Sequence, residues 1–128
     1  MILLSFDIEE FDMPLEYEGT ISLEEQLSVS RKGLQNILRI LKKYQIKATF
    51  FSTVIFAENN QDLIQELLSD GHELASHTWF HSDFEEKHLL ESKLMLEELF
   101  NTKIIGLRMP RMSPVSDDAV ANAGYFYN

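Results

Sequence analysis

The sequence predicts an α/β fold built on a parallel sheet. Short apolar stretches alternate with stretches of helical periodicity in the order β-α-β-α-β-α-β-α, which is typical of right-handed βαβ units. Clusters of polar residues follow three of the predicted strands, where parallel α/β folds collect their functional groups. No repeat, linker or low-complexity tract divides the sequence, so we expect residues 1-128 to form one domain.

The first half of the chain predicts two strands and two helices. Residues 2–6 form a short, mostly apolar run, as expected of a strand buried on both faces. Residues 22–44 begin with a capping-box sequence and continue with helical periodicity. Residues 47–54 are rich in aromatic and β-branched side chains, which favour a strand. A second helix is predicted over residues 61–69, where an Asp-Gly pair stops it.

The second half repeats the pattern. We predict strands over residues 72–76 and 103–107, a helix over residues 85–100 and a short helix over residues 117–123. Residues 125–128 resemble the start of a fifth strand. Four strands cannot close a barrel of the usual kind. We therefore expect open sheet edges, through which the chain could form a homo-oligomer.

Composition limits the classes of function. The net charge is −10, and the 11 basic residues form no patch, which argues against nucleic acid or an anionic membrane as a partner. The chain has no cysteine, so any metal site must use histidine and carboxylate ligands. No stretch has the length of a signal peptide or a transmembrane helix, and the default expectation is a cytoplasmic protein.

Two histidines spaced four residues apart suggest a metal site. His77 and His81 follow the third predicted strand, and on a helical turn their imidazoles could converge on one divalent cation. Such a pair also arises by chance at a polar helix start, and alone it decides little. Its weight increases because Asp7 and Arg108 follow the first and fourth predicted strands, which places all four side chains at one rim.

Two carboxylates near two imidazoles could have different roles in a reaction. Asp7 and Glu9 alternate along a strand and so face the same side, where one could ligate a metal and the other act as general base. Glu10 competes with Glu9 as the ligand, and both glutamates could instead form a solvated turn. Arg108 beside the base would keep it ionised and oriented. These parts suit metal-assisted hydrolysis of an ester or amide.

Three segments resemble the motifs of the polysaccharide deacetylase (NodB-homology) family. Residues 5–10, Ser-Phe-Asp-Ile-Glu-Glu, resemble its first motif. Residues 77–81, His-Thr-Trp-Phe-His, match its H-[ST]-x-x-H metal motif, and residues 108–113, Arg-Met-Pro-Arg-Met-Ser, resemble its third motif. The resemblance covers the whole chain. It implies that residues 1–128 are the N-terminal portion of a distorted (β/α) barrel.

The resemblance also implies roles for individual residues. Asp7 would be the catalytic base and Arg108 would orient it, while Glu9, His77 and His81 would bind a divalent metal. The metal would be zinc, with cobalt, nickel or iron as alternatives. The reaction would remove acetyl groups from an N- or O-acetylated carbohydrate or a related amide. This chain has Asp-Ile-Glu where the common family form has Asp-Asp, and Arg111 where an aromatic residue is common.

Two other readings stay open. The family's fourth motif and its fifth, which carries a general-acid histidine, have no match within residues 1–128. We therefore expect a domain truncated about midway, which could be a remnant that binds metal or a partner without turnover. A phosphoryl-transfer or receiver-type domain could also place Mg²⁺ at Asp7 and Glu9. The two histidines and the arginine at the later strand ends favour the deacetylase reading.

Overall fold

Three short parallel strands carry the fold, in the spatial order β1-β2-β3. The structure is a computed structural model that describes all residues from Met1 to Asn128. In chain order, the elements are β1 (Ser5–Ile8), α1 (Met13–Glu16), α2 (Leu23–Tyr44), β2 (Thr49–Ser52), α3 (Val54–Asn59), α4 (Gln61–Ser69), β3 (Glu73–Ser76), α5 (His88–Phe100), a 3₁₀ turn (Pro110–Met112) and α6 (Asp117–Asn122). The predicted parallel α/β architecture is confirmed.

The register of the sheet places its carboxyl ends level with one another. Ile8 pairs with Ser52, and Ser52 pairs with Ser76, at the last position of each strand. The ladder continues one residue further, because the Thr53 amide donates to the Ile8 carbonyl at 3.2 Å and the His77 amide to the Ser52 carbonyl at 2.8 Å. The residues that follow the three strands therefore share one rim.

The predicted strand over residues 103–107 is reduced to isolated bridges. Leu107 bridges to Ser76, and Gly106 bridges to Tyr127, both in parallel. The pairing stops there because Pro110 lacks an amide hydrogen and begins the 3₁₀ turn. The prediction of a fourth regular strand was wrong, although this segment lies beside β3 as expected.

The first strand begins later than predicted. Ile2 and Leu3 were expected in a strand buried on both faces, but they are 87% and 83% exposed. The neighbouring strand β2 begins only at Thr49, whose amide bonds to the Leu4 carbonyl at 3.0 Å. Residues before Leu4 therefore have no strand to pair with. The strand also ends later than predicted, at Ile8, so Asp7 lies within β1 and does not follow it.

Two short helices were not predicted, and one predicted helix is shorter. Helix α1 begins after Asp12, and α3 begins after Thr53, whose hydroxyl accepts from the Phe56 amide at 3.2 Å. Helix α5 begins at His88 and not at residue 85, because the ring nitrogen Nδ1 of His88 accepts from the Glu85 amide and closes a turn there. The capping box of α2 forms as predicted.

One face of the sheet packs on the helices and forms the core. Phe50 is fully buried there, with its ring centroid 5.3 Å from those of Phe6 and His72. Helix α2 contributes Leu34, Leu38 and Leu41 to the same core. The other face is more polar, and it carries the side chains of the site described below. No helix combines the length and hydrophobicity needed to cross a bilayer.

Replacing Phe50 by alanine should lower the free energy of unfolding by about 3–5 kcal/mol, because it leaves a cavity in the core. Phe126 is 83% exposed, and its replacement by alanine should change that free energy by less than about 0.5 kcal/mol. Urea denaturation followed by circular dichroism measures both. Equal losses in the two variants would contradict this assignment of the core.

Candidate metal centre and catalytic residues

The two histidines predicted as ligands lie on a loop and not on a helical turn. His77 directly follows β3, and Thr78 has a φ of 65°, in the left-handed region that an α-helix cannot include. The loop is held in place because the Thr78 hydroxyl donates to the Phe80 carbonyl at 3.1 Å. The rings of His77 and His81 still stack, with their centroids 6.0 Å apart.

The carboxylate of Glu9 lies between the two imidazoles. Its Oε2 is 2.8 Å from His77 Nε2, and its Oε1 is 3.4 Å from His81 Nε2. One potential ligand atom from each of the three residues lies within 4.8 Å of the others. The fold therefore brings together the three residues that the sequence predicted as metal ligands.

The other nitrogen of each ring determines what faces Glu9. Nδ1 of His77 lies 2.7 Å from the Arg108 carbonyl oxygen, and Nδ1 of His81 lies 2.7 Å from Asp12 Oδ1. A carbonyl and an ionised carboxylate can only accept, so each Nδ1 carries the hydrogen. In the neutral ring, Nε2 is then a bare acceptor. Both bare nitrogens are directed at Glu9.

This arrangement fits a bound cation. Glu9 Oε2 is buried and has no hydrogen-bond donor. The atom beside it, His77 Nε2, is itself an acceptor when the ring is neutral. Two acceptors at 2.8 Å repel each other unless a proton or a cation is shared between them. Two imidazoles with one carboxylate are also a ligand set of zinc sites that keep a position open for substrate.

Glu10 has a different task from Glu9. It is 6% exposed, so the solvated-turn reading is wrong for this residue. Its Oε2 accepts from the Thr53 hydroxyl at 2.7 Å, and its Oε1 accepts from the His81 amide at 2.8 Å. Glu10 therefore ties the histidine loop to Thr53 at the end of β2. This leaves Glu9 as the carboxylate beside the imidazoles.

Asp7 and Arg108 form an ion pair on the same face of the sheet. Arg108 Nη1 donates to Asp7 Oδ1 at 2.7 Å, and Nη2 donates to the Ser5 hydroxyl at 2.8 Å. The guanidinium also lies over the Phe51 ring, 4.1 Å from its centroid. Three contacts therefore fix the arginine, and the arginine contacts only one of the two oxygens of Asp7.

The pair and the histidine cluster open onto solvent-accessible clefts. Asp7, Glu9 and His81 line one cleft of about 280 Å³ between the end of β1 and helix α2. Arg108 borders a second cleft of about 530 Å³, whose lining is mostly apolar and includes Phe51. A reactant in the first cleft could therefore reach both Asp7 and the histidine cluster.

Asp12 belongs to the site, although the sequence does not predict this. Besides His81, it accepts from the Ser82 hydroxyl at 3.0 Å and from Arg111 at 3.3 Å. Burial alone would raise the pKa of Asp12, but the hydrogen bonds from His81 and Ser82 and the charge of Arg111 lower it below its ordinary value. An aspartate two residues before Pro14 reads as a helix cap, so the sequence offers no signal for this role.

Comparison with known proteins relates the chain to one protein family. The sequence model of the family described as Polysaccharide deacetylase matches residues 2–125. A chitooligosaccharide deacetylase from Bradyrhizobium sp. is 35% identical over 48 residues, which are 38% of this chain and 22% of that relative. The chain spans less than a third of the length of the curated relatives it matches.

Solved structures share the fold. PuuE allantoinase has a TM-score of 0.76 at 22% identity, and the match covers 97% of this chain and 51% of that one. A structure described as a CE4 family pseudoenzyme from Bacillus anthracis has a TM-score of 0.66 at 21% identity, covering 96% of this chain and 39% of that one. At these identities the likeness establishes the fold alone, and it supports the partial (β/α) barrel.

Substitution of the two neighbouring glutamates should affect the free energy of unfolding differently. In chelator-treated protein, Glu10→Ala should lower the free energy of unfolding by about 1–3 kcal/mol, because it leaves buried donors of Thr53 and His81 unpaired. Glu9→Ala should leave that free energy unchanged or raise it, because the buried Oε2 atom that it removes has no hydrogen-bond donor. Urea denaturation measures both. A loss in Glu9→Ala as large as in Glu10→Ala would refute the division of tasks.

Proposed function

Because the chain belongs to the polysaccharide deacetylase family, we propose that it is a metal-dependent hydrolase that removes acetyl groups from an N- or O-acetylated carbohydrate or a related amide. The observation that carries the proposal is the convergence of Glu9, His77 and His81 within 4.8 Å. Two of these residues, Glu9 and His81, line the same cleft as Asp7. Ligands and a potential base are thus available to one bound substrate.

Glu9 Oε1 or Oε2, His77 Nε2 and His81 Nε2 would hold the metal. We propose zinc, with cobalt, nickel and iron as alternatives, since imidazole and carboxylate ligands suit all four. When bound, such an ion polarises the acyl carbonyl and makes a coordinated water more acidic. The protein's own contribution is to fix both imidazoles through Nδ1, so that neither ring has to reorient when the metal binds.

Asp7 would act as the general base. Arg108 contacts Oδ1 only, so Oδ2 is the atom we assign to accept a proton from the attacking water. Arg108 acts as an orienting residue, because its contacts with Ser5 and Phe51 leave it little freedom. A base held in one position contributes more to rate than one that samples several positions.

The alternative is a deacetylase-like domain that binds metal without turnover. It is supported by a family pseudoenzyme, from Bacillus anthracis, among the similar structures. The retained pair of Asp7 and Arg108 favours catalysis, since binding alone would not require an oriented base. Both hypotheses keep the metal at Glu9, His77 and His81.

The first test is metal content. Protein purified without chelator should bind one zinc ion, and His77→Ala or His81→Ala should weaken binding by more than about 100-fold, since loss of a ligand should exceed the 10–100-fold cost of losing an outer contact. Competition with a chromophoric chelator measures the affinity. His88→Gln, which removes an imidazole packed among aromatic rings, serves as the control and should bind zinc normally. Absence of zinc, cobalt, nickel and iron from the wild type would sink the proposal.

The second test separates catalysis from binding. Asp7→Asn should reduce acetate release from an acetylated chitooligosaccharide by about 10²–10⁴-fold, because general-base catalysis contributes that much. Zinc affinity should stay within a few-fold, since Asp7 is not in the ligand cluster. A wild-type chain that binds zinc but releases no acetate would support the alternative function. Undiminished release by Asp7→Asn would remove Asp7 as the base.

A further inference from the structure

We propose that Asp12 is a positioning residue that fixes the tautomer and the orientation of His81. The inference rests on the proposed function, in which His81 Nε2 binds the metal. It adds a residue outside the three motifs that predicted the site. Asp12 lies between the first motif and helix α1, and its carboxylate is nearly buried, with 11% of the side chain exposed.

The contacts of Asp12 leave one oxygen for His81. Oδ1 lies 2.7 Å from His81 Nδ1, while Oδ2 accepts from the Ser82 hydroxyl at 3.0 Å and from Arg111 at 3.3 Å. Three segments of the chain therefore meet at this carboxylate. Because Ser82 and Arg111 hold Oδ2, the carboxylate cannot rotate away from the imidazole without losing both contacts.

Asp12 does not act as a helix cap. It occupies the N-cap position of α1, but its side chain accepts no hydrogen bond from the amides of that helix. Helix α1 has only four residues, and its start is set by Pro14 at the first turn. The carboxylate therefore points to the histidine loop for a reason other than helix stability.

The two imidazoles have different partners at Nδ1. His77 donates to a neutral carbonyl oxygen of Arg108, whereas His81 donates to a carboxylate. A charged acceptor forms the stronger hydrogen bond and increases the electron donation of the ring to a metal. His81 also needs more support, since its ring is 12% exposed while that of His77 is 2% exposed. Asp12 therefore restricts the more exposed ring of His81, whereas burial restricts the ring of His77.

A second acid fixes the backbone of the same residue. The His81 amide donates to Glu10 Oε1 at 2.8 Å. Glu10 fixes the backbone of His81 and Asp12 fixes its Nδ1, so rotation about both χ1 and χ2 of the side chain is restricted. His81 Nε2 is thereby directed at Glu9 before any metal binds, which lowers the entropic cost of forming the site.

The experiment compares Asp12→Asn and Asp12→Ala with the control Glu16→Gln. Glu16 also contacts Arg111 but does not contact His81, so the control removes the same charge from the same region. Zinc affinity is measured by chelator competition. In chelator-treated protein with ¹⁵N-labelled histidine, nuclear magnetic resonance reports which nitrogen of His81 carries the hydrogen. Asp12→Asn is isosteric and keeps the test informative if Asp12→Ala fails to fold.

We expect both Asp12 variants to bind zinc about 10–100-fold more weakly than the wild type and the control. We also expect His81 to change from the form with hydrogen on Nδ1 to a mixture of both tautomers. An unchanged tautomer together with control-like zinc affinity would overturn the proposal. If the wild type binds no zinc, the proposed function fails, and the tautomer of His81 in the variants still decides whether Asp12 positions it.

Discussion

The direction of two nitrogen lone pairs constrains the rest of this site. His77 and His81 each have Nδ1 tied to an acceptor, so both Nε2 atoms are directed at the carboxylate of Glu9. Three acceptors facing one another stabilise nothing by themselves. The rest of the fold must offset the free-energy cost of holding these acceptors together, as is common at functional sites. The loop, the ion pair and the buried acids nearby all maintain this convergence.

The sheet brings the site residues together and gives the three acids at the end of β1 different partners. The ends of β1, β2 and β3 are level, so each residue after a strand meets its counterparts at one rim. Asp7 pairs with Arg108 on the sheet face, Glu9 meets the imidazoles, and Glu10 is buried against Thr53. Three acids within four positions thus have three environments, and one strand end supplies the proposed base, the proposed ligand and a structural support.

The sequence predicted the three parallel strands, the longer helices and most residues of the proposed site, because these depend on local patterns. Helical periodicity and the spacing of the two histidines are visible in the chain itself. What it could not predict depends on distant partners: the exposure of Ile2 follows from where β2 begins, and the backbone of Thr78 follows from the loop's contacts. Asp12 was missed for the same reason, because its partner His81 lies 69 residues away.

The proposed site depends on the binding of one metal ion by Glu9, His77 and His81 together. X-ray absorption at the zinc edge of the loaded protein tests it most directly, because imidazole rings give a distinctive scattering pattern. We expect two imidazole ligands and at least one oxygen at about 2.0–2.2 Å, with one oxygen contribution altered in Glu9→Ala. A spectrum with fewer than two imidazoles, or one that Glu9→Ala leaves unchanged, would contradict it.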